Sequence, residues 1–364
     1  MEEKKSPSPS IADVSPKHKP ISLLFHIITI SITCAIALLS IKITVEQPTP
    51  VEEEFSIKSL IPSMINTNNA PIPIKTGLSI YNYRIFDMLN ATYEFEGTIW
   101  FEFDPSTISI DTVSEFEFEK GDIIHKSSPR SRLNKNRLLV FYDILVRFKT
   151  ELNYKLFPVD DHIIKLILVN KKVTPQELMY EIHNQSFIVR PKTESFGWIE
   201  KLKEVLTGYV EEVIDTRNES YNIYHPAVQF SILYRRSGLK YALILLMPMV
   251  VFIIVMLTSF SYDPYKYFSS IMVANGASLS GLIAFRFVIE NMSPEVGYFM
   301  ISDYFFLIFL VLAALLFLIG IFSMNVSMKA KKTLILLVHG LLISSFIIIV
   351  SYILSFTYHG THFF

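Results

Sequence analysis

Residues 239–358 contain four apolar runs that strongly restrict what this chain can fold into. Each run is long enough to cross a lipid bilayer as a helix, which takes about 20 residues. The runs cover residues 239–260, 271–289, 298–322 and 333–356. With 51% hydrophobic residues in the whole chain, the composition is not that of an ordinary soluble protein. The sequence therefore predicts a four-helix transmembrane domain over residues 239–358.

A further apolar run, residues 21–45, follows a polar tail of residues 1–20 that is rich in Lys, Ser and Pro. That composition predicts a disordered tail, and its lysines place the N-terminus in the cytoplasm by the positive-inside rule. The run exceeds a usual signal-peptide core and no clear cleavage site follows it, so an extra transmembrane anchor is favoured over a signal peptide. Cys34 lies in this run and is the only cysteine, which excludes an intrachain disulfide.

Residues 72–238 show the pattern of a strand-rich domain, after an acidic, Pro-containing linker at residues 46–71. Apolar and polar residues alternate in 93–103 and 113–119, which is typical of half-buried strands. The same alternation recurs at residues 141–148, 162–169 and 228–234. Short strands separated by turn residues predict an antiparallel β-sandwich. Residues 195–206 fit either a short helix or a loop.

The distribution of basic residues predicts the orientation in the membrane. Loop 323–332 contains three lysines and is expected in the cytoplasm, whereas loop 290–297 has no Lys or Arg and is expected outside. The β-rich domain is then extracellular or periplasmic, and the protein is multi-pass in a plasma or inner membrane. Arg235 and Arg236 lie just outside a span, where the rule disfavours them, which indicates a specific role.

Run 271–289 differs from its hydrophobic neighbours. It is rich in Gly, Ala and Ser and also contains Asn275 and Arg286. Polar groups inside a membrane usually face a bundle interior or water rather than lipid. This helix therefore either packs inside the bundle through its small residues or lines an aqueous pore.

Two short motifs connect the β-rich domain to the first of the four spans. Residues 157–160 read Phe-Pro-Val-Asp, and His162 begins an alternating apolar stretch shortly after them. Arg236 stands before a span that contains Tyr241 and Pro248.

Two further motifs complete a recognisable order. Residues 292–298 read Met-Ser-Pro-Glu-Val-Gly-Tyr with Asp303 soon after, and residues 97–100 read Gly-Thr-Ile-Trp after Asp-Met-Leu-Asn at 87–90. In this order and topology, the four motifs resemble the pentameric ligand-gated ion channels, or Cys-loop receptor superfamily, over residues 72–356. The match at 157–160 is to the family's FPFD-x-Q signature.

The resemblance implies a subunit of a homopentameric ligand-gated or proton-gated ion channel, whose pore is lined by helix 271–289. No cysteines bracket residues 157–160, and the loop between the last two spans is short, as in bacterial members. The implied partners are further copies of this chain, the lipid bilayer, permeant ions and a small-molecule or proton agonist. No cofactor and no nucleic acid are implied. The alternative is a non-conducting, membrane-anchored sensor or binding protein with the same fold.

The resemblance also assigns roles along the pore. The pore-facing stripe would be Val273, Ala277, Ser280, Ala284 and Phe287, which helical periodicity also places on one face. Close helix packing is the alternative for the small residues in this stripe. Arg286 and Glu290 would set the charge of the pore mouth, or would pair with each other one turn apart. Ion selectivity and the position of the gate stay open.

Two further groups of residues follow from the resemblance. The gating-coupling residues would be Asp87, Phe157, Pro158, Asp160, Arg236 and Tyr298, with a static salt bridge as the alternative. The ligand-binding candidates are Trp100 and Phe101 facing Tyr221 and Tyr224 of a neighbouring subunit, with core or surface packing as the alternative. An aromatic box suits a cationic ammonium ligand, but Lys171 and Lys172 disfavour an amine here.

Other classes of function find no support in the sequence. Nucleophile elbow, phosphate-binding loop and HExxH motifs are absent, so an enzyme is not predicted. The two histidines near the C-terminus, His359 and His362, are too few for a metal site. The histidines of the β-rich domain raise the possibility of proton gating, because imidazole titrates near neutral pH.

Overall fold

A computed structural model describes residues 57–59, 70–183, 185–215, 217, 221–236, 240–260, 262, 264–322, 327, 329–330 and 332–340, together with 24, 27, 28, 31 and 344. Residues 72–236 form a sheet-rich domain, as the alternating pattern predicts. Its strands are β1 (Ile72–Asp87), β2 (Thr92–Phe103), β3 (Phe116–Glu119), β4 (Gly121–Lys126), β5 (Arg130–Asn134), β6 (Arg137–Lys149), β7 (Asp161–Asn170), β8 (Leu178–Glu181), β9 (Phe187–Val189), β10 (Trp198–Glu212) and β11 (Ile223–Arg236). A short helix, α1 (Ile110–Ser114), and a 3-10 turn, Thr193–Phe196, complete it.

The strands form one continuous hydrogen-bonded sheet. Its order is β10-β11-β7-β3-β4-β6-β2-β1-β8, with β5 on β6 and β9 on β1. Most neighbours are antiparallel, but β8 and β9 pair parallel to β1, so the sheet is mixed rather than purely antiparallel. One hydrophobic core contains residues from strands near both ends of the sheet, such as Phe95 and Phe101 of β2 and Phe230 and Tyr234 of β11. The alternating strands therefore bury their apolar faces together.

Residues 195–206 are neither a helix nor a simple loop, because most of them belong to β10. This strand pairs with β11 along its length, from Trp198 opposite Arg236 to Glu212 opposite Ile223. It is the last strand of the sheet, and residues 201–204 are exposed. An edge strand with solvent on much of its surface does not need strict alternation of apolar residues, which explains the ambiguous pattern.

Among the residues that the structure describes, the outer edge of β10 forms one bridge to the segment 57–59. The backbone N–H and C=O of Lys58 both bond to Tyr209, at 3.0 Å each. Gly208 permits this approach, since a Cβ on it would lie 2.1 Å from the Lys58 carbonyl oxygen. Ile57 packs into a small core with Ile167 and Val210.

Three helices are long and apolar enough to cross a membrane: residues Lys240–Ser259, Lys266–Met292 and Ile301–Ile321. They correspond to α2 (Lys240–Ser259), α3 (Pro264–Met292) and α4 (Ile301–Ile321), and they agree with the first three of the four predicted spans. Helix α3 starts at Pro264, with non-helical backbone at Tyr267, so part of the predicted connection is helical. Of the predicted span 333–356, residues 333–340 and 344 are described as helical. The rest of this span, and most of the predicted N-terminal tail, anchor and linker, lie outside the described residues.

The chain divides into two compact units. The sheet unit includes Val45–Tyr241 and also Glu290–Ile301, a segment that contains the connection between α3 and α4. The helical unit includes Ala242–Ile289 and Ser302–Tyr352.

Candidate functional site

Asp160 is the buried centre of a charged cluster in the sheet unit. It is the last residue of the β6–β7 loop and is 1% exposed. Arg236, at the end of β11, donates from Nε to Oδ1 at 2.9 Å and from a terminal nitrogen to Oδ2 at 3.4 Å. The preceding residue of β11, Arg235, lies opposite Asp161 of β7 and donates from Nε to its Oδ2 at 2.9 Å. Both arginines that the positive-inside rule disfavoured therefore have buried carboxylate partners.

Aromatic rings surround the Arg236 guanidinium. Its central carbon lies 4.4 Å from the ring centre of Trp198, 4.8 Å from that of Tyr241 and 5.2 Å from that of Phe157. Phe157 is fully buried, and its peptide bond to Pro158 is cis. Cation–π contacts in a dry setting favour a guanidinium over an ammonium at this position.

His162 is a second partner of the same carboxylate. Its Nε2 lies 2.7 Å from Asp160 Oδ2. The centre of its ring lies 5.1 Å from that of Tyr154 and 5.3 Å from that of Trp198. Burial alone would raise the pKa of the Asp160 carboxyl. The positive charge of Arg236, and then His162, more than offset burial and hold that pKa well below its usual range. Asp160 is therefore an anion at any physiological pH.

The connection between α3 and α4 is hydrogen-bonded within the sheet unit. The Tyr154 N–H donates to the Tyr298 hydroxyl at 2.9 Å, and the Ile301 N–H donates to the Lys155 carbonyl at 3.0 Å. The Tyr241 hydroxyl donates to the Met292 carbonyl at 3.0 Å. The β6–β7 loop thus holds both the Asp160 cluster and this connection.

The predicted coupling residues are only partly brought together. Phe157, Asp160 and Arg236 are in direct contact, and Tyr298 joins them through the β6–β7 loop. Asp87 instead accepts hydrogen bonds within its own turn, from the Leu89 and Asn90 backbone and the Asn90 side chain. The sequence did not single out Tyr154 or Trp198, and it named His162 and Tyr241 only as neighbours of the motifs.

A cavity of about 730 Å³ lies beside this cluster in the sheet unit. Its walls come from the β1–β2 turn, the end of β6, the β6–β7 loop, β7 and the α3–α4 connection. Asp160, His162, Tyr154, Lys155 and Tyr298 are among the lining residues.

Helix α3 has two different faces in the helical unit. One face is buried and contains Ile271, Asn275, Ser278, Leu282 and Ile289. The predicted stripe is on the other face, and all five of its residues are exposed: Val273, Ala277, Ser280, Ala284 and Phe287. Asn275 accepts a hydrogen bond from Ser259 of α2 at 2.9 Å, so the buried face binds α2 through a polar contact as well as apolar ones.

Arg286 of α3 forms an ion pair that the sequence did not predict. Its guanidinium bonds to the carboxylate of Asp303, in the first turn of α4, and its central carbon lies 5.5 Å from the Phe306 ring. Asp303 is 4% exposed. The charge of Arg286 is therefore at least partly neutralised within one chain.

The four ligand-binding candidates differ in accessibility. Phe101 is completely buried in the core, which favours the alternative of core packing at this position. The side chain of Trp100 points to the opposite face of β2, where a Cβ on Gly77 would come within 2.5 Å of the indole. Tyr221 is exposed, and Tyr224 packs edge-on against Tyr209 with ring centres 5.3 Å apart.

Comparison with protein-family models and with curated proteins gives no match. Within the part of the chain that the structure describes, no group of three or more His, Cys, Asp or Glu side chains is arranged to hold a metal ion.

Proposed function

We propose that this chain is a subunit of a homopentameric ion channel of the pentameric ligand-gated type. The observation that carries this proposal is the exposed face of α3. Five residues at helical spacing are exposed there, while the opposite face is buried in the helical unit. A membrane helix that leaves small and polar residues uncovered needs either water or further protein against them.

Five copies arranged around an axis meet that requirement. Ser280, Ala277 and Ala284 would line a water-filled path, with Val273 and Phe287 narrowing it near its two ends. The pairing of Arg286 with Asp303 removes part of the positive charge that five arginines would otherwise add near the mouth. We also propose that the sheet folds as a sandwich outside the cell or in the periplasm, and that a fourth span follows Thr333.

The Asp160 cluster supports a route for opening. The end of β11 is separated from the start of α2 by three residues in the sequence, and the connection after α3 is bonded to the same β6–β7 loop that carries Asp160. A displacement of this loop by a ligand would move the ends of both helices. Interfaces with two discrete packings are the usual basis for such switching.

Native mass spectrometry of the detergent-purified chain tests the assembly without a ligand. A pentamer is expected. A monomer or dimer that persists in lipid nanodiscs would remove the central pore. The non-conducting, membrane-anchored sensor would then be the better assignment, and the exposed face of α3 would need another cover.

Cysteine accessibility tests the pore face directly. In the Cys34→Ser background, Ser280→Cys is expected to react with a charged, membrane-impermeant thiol reagent, because water reaches this face. Ser278→Cys is the matched control, since Ser278 is on the same helix but buried. Equal labelling of the two cysteines, or labelling of neither, would contradict a pore along this face. In planar bilayers, modification at 280 is expected to reduce the current at least several-fold and modification at 278 is not.

A further inference from the structure

His162 is a buried imidazole that the coupling route does not require. It is 3% exposed, and a carboxylate at hydrogen-bond distance faces its Nε2. Because Asp160 is an anion, Nε2 of a neutral His162 must carry the hydrogen that it donates to Oδ2. An incoming proton therefore binds at Nδ1, on the other side of the ring.

The geometry makes His162 and Arg236 competitors for one oxygen. Asp160 Oδ2 lies 2.7 Å from His162 Nε2 and 3.4 Å from a terminal nitrogen of Arg236. A protonated His162 places a second full positive charge on this oxygen and beside the guanidinium. The charge-assisted bond to His162 then strengthens, while the hold on Arg236 weakens through both competition and repulsion.

The groups around His162 define what else acts on its charge. Asp160 attracts a proton and Arg236 repels one, and the uncharged rings of Tyr154 (edge-on) and Trp198 (tilted) pack against the imidazole. The further titratable groups from neighbouring elements are Asp161, Lys165, Lys155, Glu295, Tyr298, Arg235 and Tyr241.

The cavity beside the cluster supplies a path for the proton. Asp160 and His162 both line it, together with polar residues of the β6–β7 loop and of the α3–α4 connection. A volume of about 730 Å³ holds many waters, since one water occupies about 30 Å³ of liquid. His162 is thus buried and yet lines a cavity large enough to hold water.

We propose that His162 is a proton-binding site that regulates the Asp160–Arg236 pair. Proton uptake at Nδ1 shifts Asp160 from Arg236 toward His162 and loosens the end of β11 from the β6–β7 loop. The consequence for channel opening rests on the proposed function, but proton binding at His162 does not.

Trp198 provides a built-in reporter for this site. Its ring contacts both the His162 ring, at 5.3 Å, and the Arg236 guanidinium, at 4.4 Å. The chain has two tryptophans, so Trp100→Phe leaves Trp198 alone. The emission of this full-length variant in detergent is titrated from pH 8 to 5, the range in which imidazole changes charge. A single transition is expected, and adding His162→Gln is expected to abolish it, because Gln keeps an N–H donor for Asp160 but binds no proton.

His225→Gln is the matched control. His225 is also buried and lies 3.1 Å from a carboxylate, that of Glu212, but it is at the other end of β11. This variant should keep the Trp198 transition. If Trp100→Phe lowers the yield of folded chain, the same titration is run as the difference between wild type and Trp198→Phe. The proposal would be overturned if the Trp198 emission showed no transition in the chain that keeps His162. It would also be overturned if the transition persisted after His162→Gln.

A second arm measures bilayer current over the same pH range. The current of the wild type is expected to change with pH and that of His162→Gln to lose this change. If the currents of wild type and His162→Gln depend on pH to the same degree, His162 does not regulate the channel. A wild type that carries no current would instead reject the channel, and the fluorescence result would still decide whether His162 binds the proton.

Discussion

Arg236→Ala is expected to abolish current while the pentamer still assembles. The change removes the strongest partner of a carboxylate that is 1% exposed, and a buried ion pair that loses one member typically costs about 3–5 kcal/mol. The sheet unit is the part destabilised. Amide hydrogen exchange in β7 and β11 is expected to show a lower free energy of opening in this variant. Current is lost because the β6–β7 loop no longer holds the end of β11.

The pH dependence of this variant has a definite sign. In the wild type, the folded pKa of Asp160 is depressed, so its contribution to stability is present above the unfolded pKa and is lost only as pH falls through the folded value. Without Arg236, the balance moves toward burial, which raises the folded pKa. The difference in free energy of unfolding between wild type and Arg236→Ala should therefore become smaller as the pH is lowered from neutral toward pH 4.

Two comparisons make the Arg236 result specific. Arg236→Lys keeps the charge but not the planar fork or its aromatic contacts, so a partial loss of current is expected. Arg84→Ala breaks an exposed pair with Glu96 on the same sheet and should change stability little. If Arg236→Ala carries the same current as wild type, the Asp160–Arg236 pair is a static salt bridge with no role in opening.

Asp303→Ala is expected to destabilise the helical unit and to shift any current toward anions. The change removes the Asp303 carboxylate from the Arg286 guanidinium, in a helix that is long and apolar enough to cross a membrane. We expect a loss of roughly 2–3 kcal/mol, below the value for a fully buried pair because the Arg286 side chain is 31% exposed. In a pentamer, five less neutralised arginines near the pore mouth would attract anions.

A double variant separates these two effects. Arg286→Leu combined with Asp303→Leu removes both charges at once and should recover most of the stability, because replacing a buried pair with apolar residues is often nearly neutral. The double variant should also lose the shift toward anions. Thermal unfolding in detergent and reversal potentials under a salt gradient measure the two effects. A single Asp303→Ala variant as stable as wild type would show that the pair contributes nothing.

The periodicity of the sequence predicted elements well where burial was one-sided. Strand β2 alternates because Phe95, Phe101 and Phe103 all face the core, and the first three apolar runs from residue 239 onward form helices. Strand β10 was missed for the opposite reason. Ile199, Leu202 and Leu206 recur at nearly helical spacing, and exposure along this edge strand removes the alternation that burial would enforce.

The candidate site was predictable in its charged members and in the motif residues Phe157 and Tyr298. Arg236 stood out because a basic residue is disfavoured at that boundary, and Asp160 because of the motif that contains it. Trp198 could not be found, since its role depends on β10 pairing with β11 in a register that places it opposite Arg236. The partner of Arg286 was missed because Asp303 is 17 residues away, outside the range of helical neighbour rules.

The edge position of β10 also has a consequence for how this protein avoids aggregation. An uncovered strand edge exposes backbone groups that can recruit a strand of another chain. Among the described residues, the Lys58 segment covers this edge at Tyr209, and the stretch before it carries exposed charges at Lys201, Lys203 and Glu204. These charges would have to be desolvated by any misplaced strand. Folded sheet units thus have a barrier against associating with one another edge to edge.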